Sequence, residues 1–204
     1  MFFYTKPVRE LLQLLRLFRK GIPTMKKLLS VAAGLMLSSS AFAQGLFPSV
    51  VPDLDLNQFL GRWYQVASTN PAFQADCVCV TADYSLIDAN TVKVVNSCRK
   101  GSPEGELDLV EGSAKTTRNP AKLNVSFGGF SLPFSNYWVV DIAEDYRYAV
   151  VSTPFRNPIW ILSRTPEIAS GDLNTIYSNL QKGGFSIRGL ASTLQASCTY
   201  EPFE

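Results

Sequence analysis

The chain has no histidine in 204 residues. That removes the commonest general base, the commonest metal ligand and the usual axial ligand of haem. Triad hydrolases and most zinc enzymes therefore fit poorly, and no metal and no cofactor is expected. Charge is also scarce, with 18% charged residues and a formal net charge of +2. Nothing in this balance points to a polyanion, so no nucleic-acid partner is expected. Long apolar runs are missing as well. The apolar stretch 28–37 is too short to span a bilayer, and Ser38-Ser39-Ser40 interrupts it. There is no internal repeat and no low-complexity tract.

The same stretch has another reading. Met25-Lys26-Lys27 is a short basic head, 28–37 an apolar middle, and Ala41-Phe42-Ala43 a small-x-small cleavage signature. Together they read as a bacterial-type signal peptide over 25–43, cut before Gln44. Residues 1–24 are then an upstream extension outside the natural chain, with translation starting at Met25; the alternative is a long basic leader starting at Met1. The domain proper is expected over 44–204. Seven basic residues and one acidic residue precede Gln44, so that domain carries a net charge of −4. A bacterial lipoprotein needs cysteine at the cleavage point. Gln44 therefore predicts an exported, soluble protein, periplasmic or secreted, without a lipid anchor. All four cysteines, Cys77, Cys79, Cys98 and Cys198, lie in this part. An even count in an exported chain reads as two disulfides. Cys77-x-Cys79 has the wrong spacing for a zinc knuckle.

Strand-like runs occupy 62–68, 78–87, 91–98, 107–117, 121–127, 137–142, 146–153 and 159–163, each ended by turn residues such as Asp88-Ala89-Asn90 or Gly128-Gly129. Eight sequential strands joined by short turns predict an antiparallel sandwich or an up-and-down barrel. One helix is expected near 170–183. Ser170 is its candidate N-cap, Leu173, Ile176, Tyr177 and Leu180 form one apolar stripe, and Gly183-Gly184 ends it. The single stripe implies packing against the outside of the sheet.

Three motifs sharpen this reading. Gly61-Arg62-Trp63-Tyr64 opens the first strand. Asp145-Tyr146 stands at the turn between the sixth and seventh strands. Arg164 closes the eighth strand in Trp160-Ile161-Leu162-Ser163-Arg164-Thr165-Pro166. In this order and at these intervals they resemble the lipocalin family over residues 53–200. Thr81-Ala82-Asp83-Tyr84-Ser85-Leu86 and Ala121-Lys122-Leu123 are similar to the branch that holds bacterial outer-membrane lipocalins and apolipoprotein D. The resemblance implies an all-β fold, an eight-stranded antiparallel up-and-down barrel with one C-terminal helix outside. Physically, Trp63 is large enough to plug one end of a barrel, and Gly61 lets the chain turn inward without a Cβ clash. Arg164 can lie over the Trp63 indole and donate to nearby carbonyls. Gly61, Trp63, Asp145, Tyr146 and Arg164 are thus expected to be structural.

With Arg164 inward at the base, strand parity turns Leu162 and Trp160 to the interior. The resemblance adds Tyr84 and Leu86, then Asn96, Phe127 and Tyr137, as interior positions. Such a lining is aromatic and neutral, and suits a hydrophobic small molecule such as a fatty acid or a phospholipid-like ligand. The bland reading is that these side chains fill a solid core. The implied function is binding, storage or transport of that ligand in the bacterial envelope, without catalysis. Two alternatives stand: a lipocalin-type enzyme using a pocket cysteine or acid, and capture of a pigment or siderophore, the latter normally needing a basic pocket. The apolar loop 127–134 reads equally as a lid over the cavity or as a contact with a membrane surface. The resemblance also implies a Cys79–Cys198 disulfide, leaving Cys77 with Cys98. Hairpin register alone mildly favours Cys79 with Cys98 instead.

Overall fold

A computed structural model describes residues 45–129 and 132–203. The expected extension 1–24 and leader 25–43, and Gln44 itself, lie outside the described residues. The strands are β1 (Gly61–Ser68), β2 (Cys77–Asp88), β3 (Thr91–Lys100), β4 (Leu107–Lys115), β5 (Lys122–Phe127), β6 (Tyr137–Ile142), β7 (Tyr148–Ser152) and β8 (Ile159–Ser163). Each pairs antiparallel with the next, and β8 pairs with β1, so the sheet closes into an eight-stranded barrel. Each of these eight strands thus has a hydrogen-bonded neighbour on both sides.

Three features go beyond the expected plan. A one-turn helix α1 (Leu56–Phe59) precedes β1, with the Asp55 carboxylate accepting from the Asn57 N–H as its N-cap. A 3₁₀ turn, Ala72–Gln74, follows β1. A two-residue strand β9 (Ala191–Ser192) adds to β1 at Ala67 and Ser68. All three are too short to show periodicity in the sequence.

The expected helix is α2 (Ser170–Lys182). Ser170 is its first residue rather than its cap: Ala169 holds the N-cap position without a side-chain bond, and its carbonyl already accepts from Leu173. The first turn instead carries Asp172, which Arg147 at the start of β7 grips with two bonds of 2.9 and 2.7 Å. At the other end Gly184, with φ +76°, lets Phe185 N–H reach the Leu180 carbonyl and Gly184 N–H reach Gln181, a Schellman closure.

Alternation along the strands builds two cores. Trp63, Ala82, Tyr84, Val94, Leu123, Val139, Val151 and Leu162 face inward. Val66, Tyr148, Val150, Ile159 and Ile161 face outward, against Ile176 and Leu180 of α2 and Phe185. Strand β7 is buried along its whole length because both its faces are covered, which is why it reads as an unbroken apolar run.

The two disulfides are Cys77–Cys98 and Cys79–Cys198. A bulge in β2 explains how residues two apart reach opposite directions. Cys77 pairs with Lys100 and Val78 with Arg99, after which the register slips before Thr81 meets Ser97. Cys98 thus sits diagonally across from Cys77 on the same face. Cys79 occupies the bulge in left-handed conformation, φ +55°, and its N–H donates to Leu194 in the C-terminal tail. Its side chain therefore turns towards Cys198 instead of following Cys77.

Candidate functional site

One end of the barrel is closed by aromatic packing. Trp63 has no exposed surface, and its indole N–H donates to the Phe59 carbonyl at 2.8 Å. The Arg164 guanidinium lies over the indole, 3.7 Å from the ring centroid, and donates to the carbonyls of Arg62 (2.8 Å) and Gln58 (2.5 Å). Burial lowers the Arg164 pKa from its ordinary value, and the π-face and two carbonyls compensate the charge. Gly61 has φ +92°, and a Cβ there would stand 3.4 Å from Arg164 Nη1. Glycine is therefore required on conformational grounds. Beside it Arg62 makes two bonds to Asp83, at 2.8 and 2.6 Å, locking β1 to β2. Tyr146, at φ +58° in the β6–β7 turn, accepts a hydrogen bond at its hydroxyl from the Asp55 N–H and so ties that turn to α1. Asp145 bonds the Arg147 N–H and guanidinium. All five signature residues thus lie at or next to this closed end.

Phe59 carries the plug deeper. Its ring stacks on Tyr84 with centroids 5.6 Å apart and meets Tyr137 edge-on. The Tyr84 and Tyr137 hydroxyls bond each other at 3.0 Å. Burial raises both phenols, Tyr84 to about 12, so both stay neutral.

Above this pair the barrel is open. A cavity of about 280 Å³ extends to the mouth, and Tyr84, Asn96, Phe127, Tyr137, Trp160 and Leu162 all line it. Ala82, Val80, Val94, Val110, Val125 and Val151 complete its apolar wall. Leu86 is a correction: two residues beyond Tyr84 on the same face, it runs past the plug and is half exposed. Residues that sequence reasoning missed include Phe73 and Gln74, from the 3₁₀ turn between β1 and β2, and Asn136. Gln74 accepts from the Trp160 indole at 3.2 Å and donates to the Gln65 side chain at 2.8 Å, fixing the turn at the cavity's edge. No strand pattern marks a turn residue as inward. Asn136 bonds both the N–H and the carbonyl of Val125, continuing the β5–β6 pairing through its side chain.

Among the described residues, no lysine or arginine lines the cavity, and the one charged lining residue is Asp108, which Lys100 pairs at 2.6 Å. Cys77, Cys98 and Asp108 cluster closely enough to resemble a metal site, but both sulfurs are spent in the disulfide. None of the four cysteines is free. Phe127, the last residue of β5, faces the cavity, while Phe134 is half exposed.

The model of the lipocalin-like domain matches residues 54–195. The chain belongs to the lipocalin family. Mouse (Mus musculus) apolipoprotein D is 32% identical over 189 residues, 86% of this chain and 97% of that protein. The outer membrane lipoprotein Blc of Citrobacter freundii is 35% identical over 164 residues, 78% of this chain and 89% of that one. Among solved structures, insecticyanin from the tobacco hornworm Manduca sexta superposes with a TM-score of 0.56 at 22% identity, covering 76% of this chain and 87% of its own. Lobster apocrustacyanin A1 gives 0.56 at 20% identity over 74% and 91% of the two chains. These structural likenesses support the barrel, and the family is one of small hydrophobic ligand binding. Among the described residues, no helix of this lipocalin is long and apolar enough to cross a membrane.

Proposed function

We propose that this lipocalin carries a hydrophobic small molecule with an acyl chain or a comparable apolar body, in the upper half of the barrel, as an exported protein of the bacterial envelope. The observation that carries the reading is the cavity above the aromatic plug: the barrel is plugged at one end and hollow at the other. Tyr84, Asn96, Phe127, Tyr137, Trp160 and Leu162 are the proposed contacts. The leader-like sequence over 25–43 and the two disulfides support export. Gln44 at the expected cleavage point favours an unanchored form, whereas Blc is named a lipoprotein. Binding is favoured over catalysis because the thiol nucleophile an enzyme would use is absent, all four cysteines being bridged. Siderophore capture is disfavoured because the described lining residues include no cation.

Native mass spectrometry of protein exported by its own host tests this in one measurement. A carried lipophilic mass, on a polypeptide beginning at Gln44 without acyl groups, is the expected result. In solution, the neutral fluorophore N-phenyl-1-naphthylamine should bind the wild type. It should bind much less to Val110→Trp, which narrows the mouth at a half-exposed position. Equal binding to both would place the probe elsewhere and remove the cavity's role.

A further inference from the structure

The cavity floor distinguishes between ligands. Tyr84 and Tyr137 have two hydroxyl hydrogens between them, and their mutual bond uses one. Among the described residues, the remaining hydrogen has no protein acceptor. The small void on the other side of the pair, bounded by Leu56, Phe59, Leu60, Val92, Ala114 and Leu123, offers only apolar surface. The carrier cavity is therefore the one side from which an acceptor can come. A buried donor left unmade is costly, so this end favours an oxygen. The same floor offers an anion no counter-charge. The phenols are held neutral by burial, and among the described residues no cation lines the walls. Arg164 lies behind the plug with its donors on the Gln58 and Arg62 carbonyls. A carboxylate carried inward would lose its hydration without a counter-charge.

We propose that the Tyr84–Tyr137 hydroxyl pair is a hydrogen-bond donor subsite that selects amphiphiles entering polar end first with a neutral acceptor oxygen (ketone, ester or alcohol) over carboxylates of the same length. This rests on the carrier reading of the cavity and names its ligand class. It narrows the fatty-acid expectation: the acyl chain suits the walls, while the ionised head does not suit the floor.

The test is displacement of N-phenyl-1-naphthylamine from the purified protein by 2-decanone, decan-1-ol and decanoate at neutral pH. The ketone and alcohol should displace it at concentrations at least tenfold below decanoate. Either single change, Tyr84→Phe or Tyr137→Phe, leaves one hydroxyl whose hydrogen can turn to the ligand, so each should keep most of the preference. The double variant keeps both rings and removes the donor. It should weaken the ketone roughly three- to tenfold, the range of one net hydrogen bond, once each displacement is referred to that variant's own measured affinity for the fluorophore. Equal displacement by ketone and decanoate would overturn the proposal, since the head would then sit at the mouth. So would a double variant that binds the ketone as wild type does. A fluorophore that never binds would instead overturn the carrier function itself, so the two failures are distinguishable.

Discussion

At the residue scale, a few side chains hold several jobs at once. Trp63 fills the closed end, donates its indole N–H to Phe59 and presents its face to Arg164. Arg164 in turn satisfies carbonyls from α1 and β1. The geometry explains why the opening glycine, the tryptophan and the distant arginine form one unit. The Tyr84–Tyr137 pair sits just above it and gives the fold an alkaline weakness. Burial raises Tyr84 from 10.0 to about 12 and raises Tyr137 as well. Below pH 10 neither the folded nor the unfolded state has released these protons, and the stability is whole. From there up to about 12 the unfolded chain ionises first, so stability falls as pH rises. The slope is at most about 1.4 kcal/mol per pH unit per group. Urea unfolding at pH 9, 10 and 11 should show this decline, and Tyr84→Phe/Tyr137→Phe should flatten it. An equal decline in the variant would assign the loss to Tyr148 and Tyr200, whose pKa values burial also raises.

At the element scale, α2 is held to the barrel chiefly by apolar contact. Ile176 and Leu180 are 0% and 2% exposed, packed on the outward faces of β7 and β8. The Arg147 bonds to Asp172 orient the first turn, but both partners are solvent-accessible and contribute little energy. Ile176→Ala should therefore cost about 2–5 kcal/mol by the cavity it opens. Denaturant unfolding reads the cost, and hydrogen exchange should show α2 opening ahead of the strands. Because α2 packs outside the wall, the affinity for N-phenyl-1-naphthylamine should not change. A large loss of affinity would mean that the helix shapes the cavity through β7 and β8.

At the scale of the whole molecule, the two disulfides close loops of very different size. Cys79–Cys198 spans 119 residues and binds the tail to the barrel, while Cys77–Cys98 spans 21 within one hairpin. Gln195 reinforces the tail by donating to the Gln65 and Val80 carbonyls at 2.8 and 2.9 Å. In the chain-entropy account the long loop is worth about 5 kcal/mol and the short one about 3. Replacing each pair by serines should lower the urea midpoint in that order. The reverse order would show that the tail stays ordered in the unfolded chain or that the hairpin bridge supports the mouth.

The sequence by itself determined the compartment expectation, the meander of eight strands and the inward positions at Trp160 and Leu162. These follow from short-range rules: a leader is a local pattern, and a strand alternates with period two. It also carried Gly61, Trp63 and Arg164, because a left-handed glycine and a tryptophan–arginine pair leave recognisable residues at fixed places. Tertiary structure decided the rest. The family resemblance placed Leu86 inward with Tyr84, but only the depth of the aromatic plug decides that the cavity stops short of it. Hairpin register favoured Cys79 with Cys98, until the bulge at Cys79 broke the period and sent its side chain to the tail. The 3₁₀ turn that brings Phe73 and Gln74 over the cavity has no period to detect. The hydroxyl pair at the floor joins residues 53 positions apart, and only closure of the barrel sets them within one hydrogen bond.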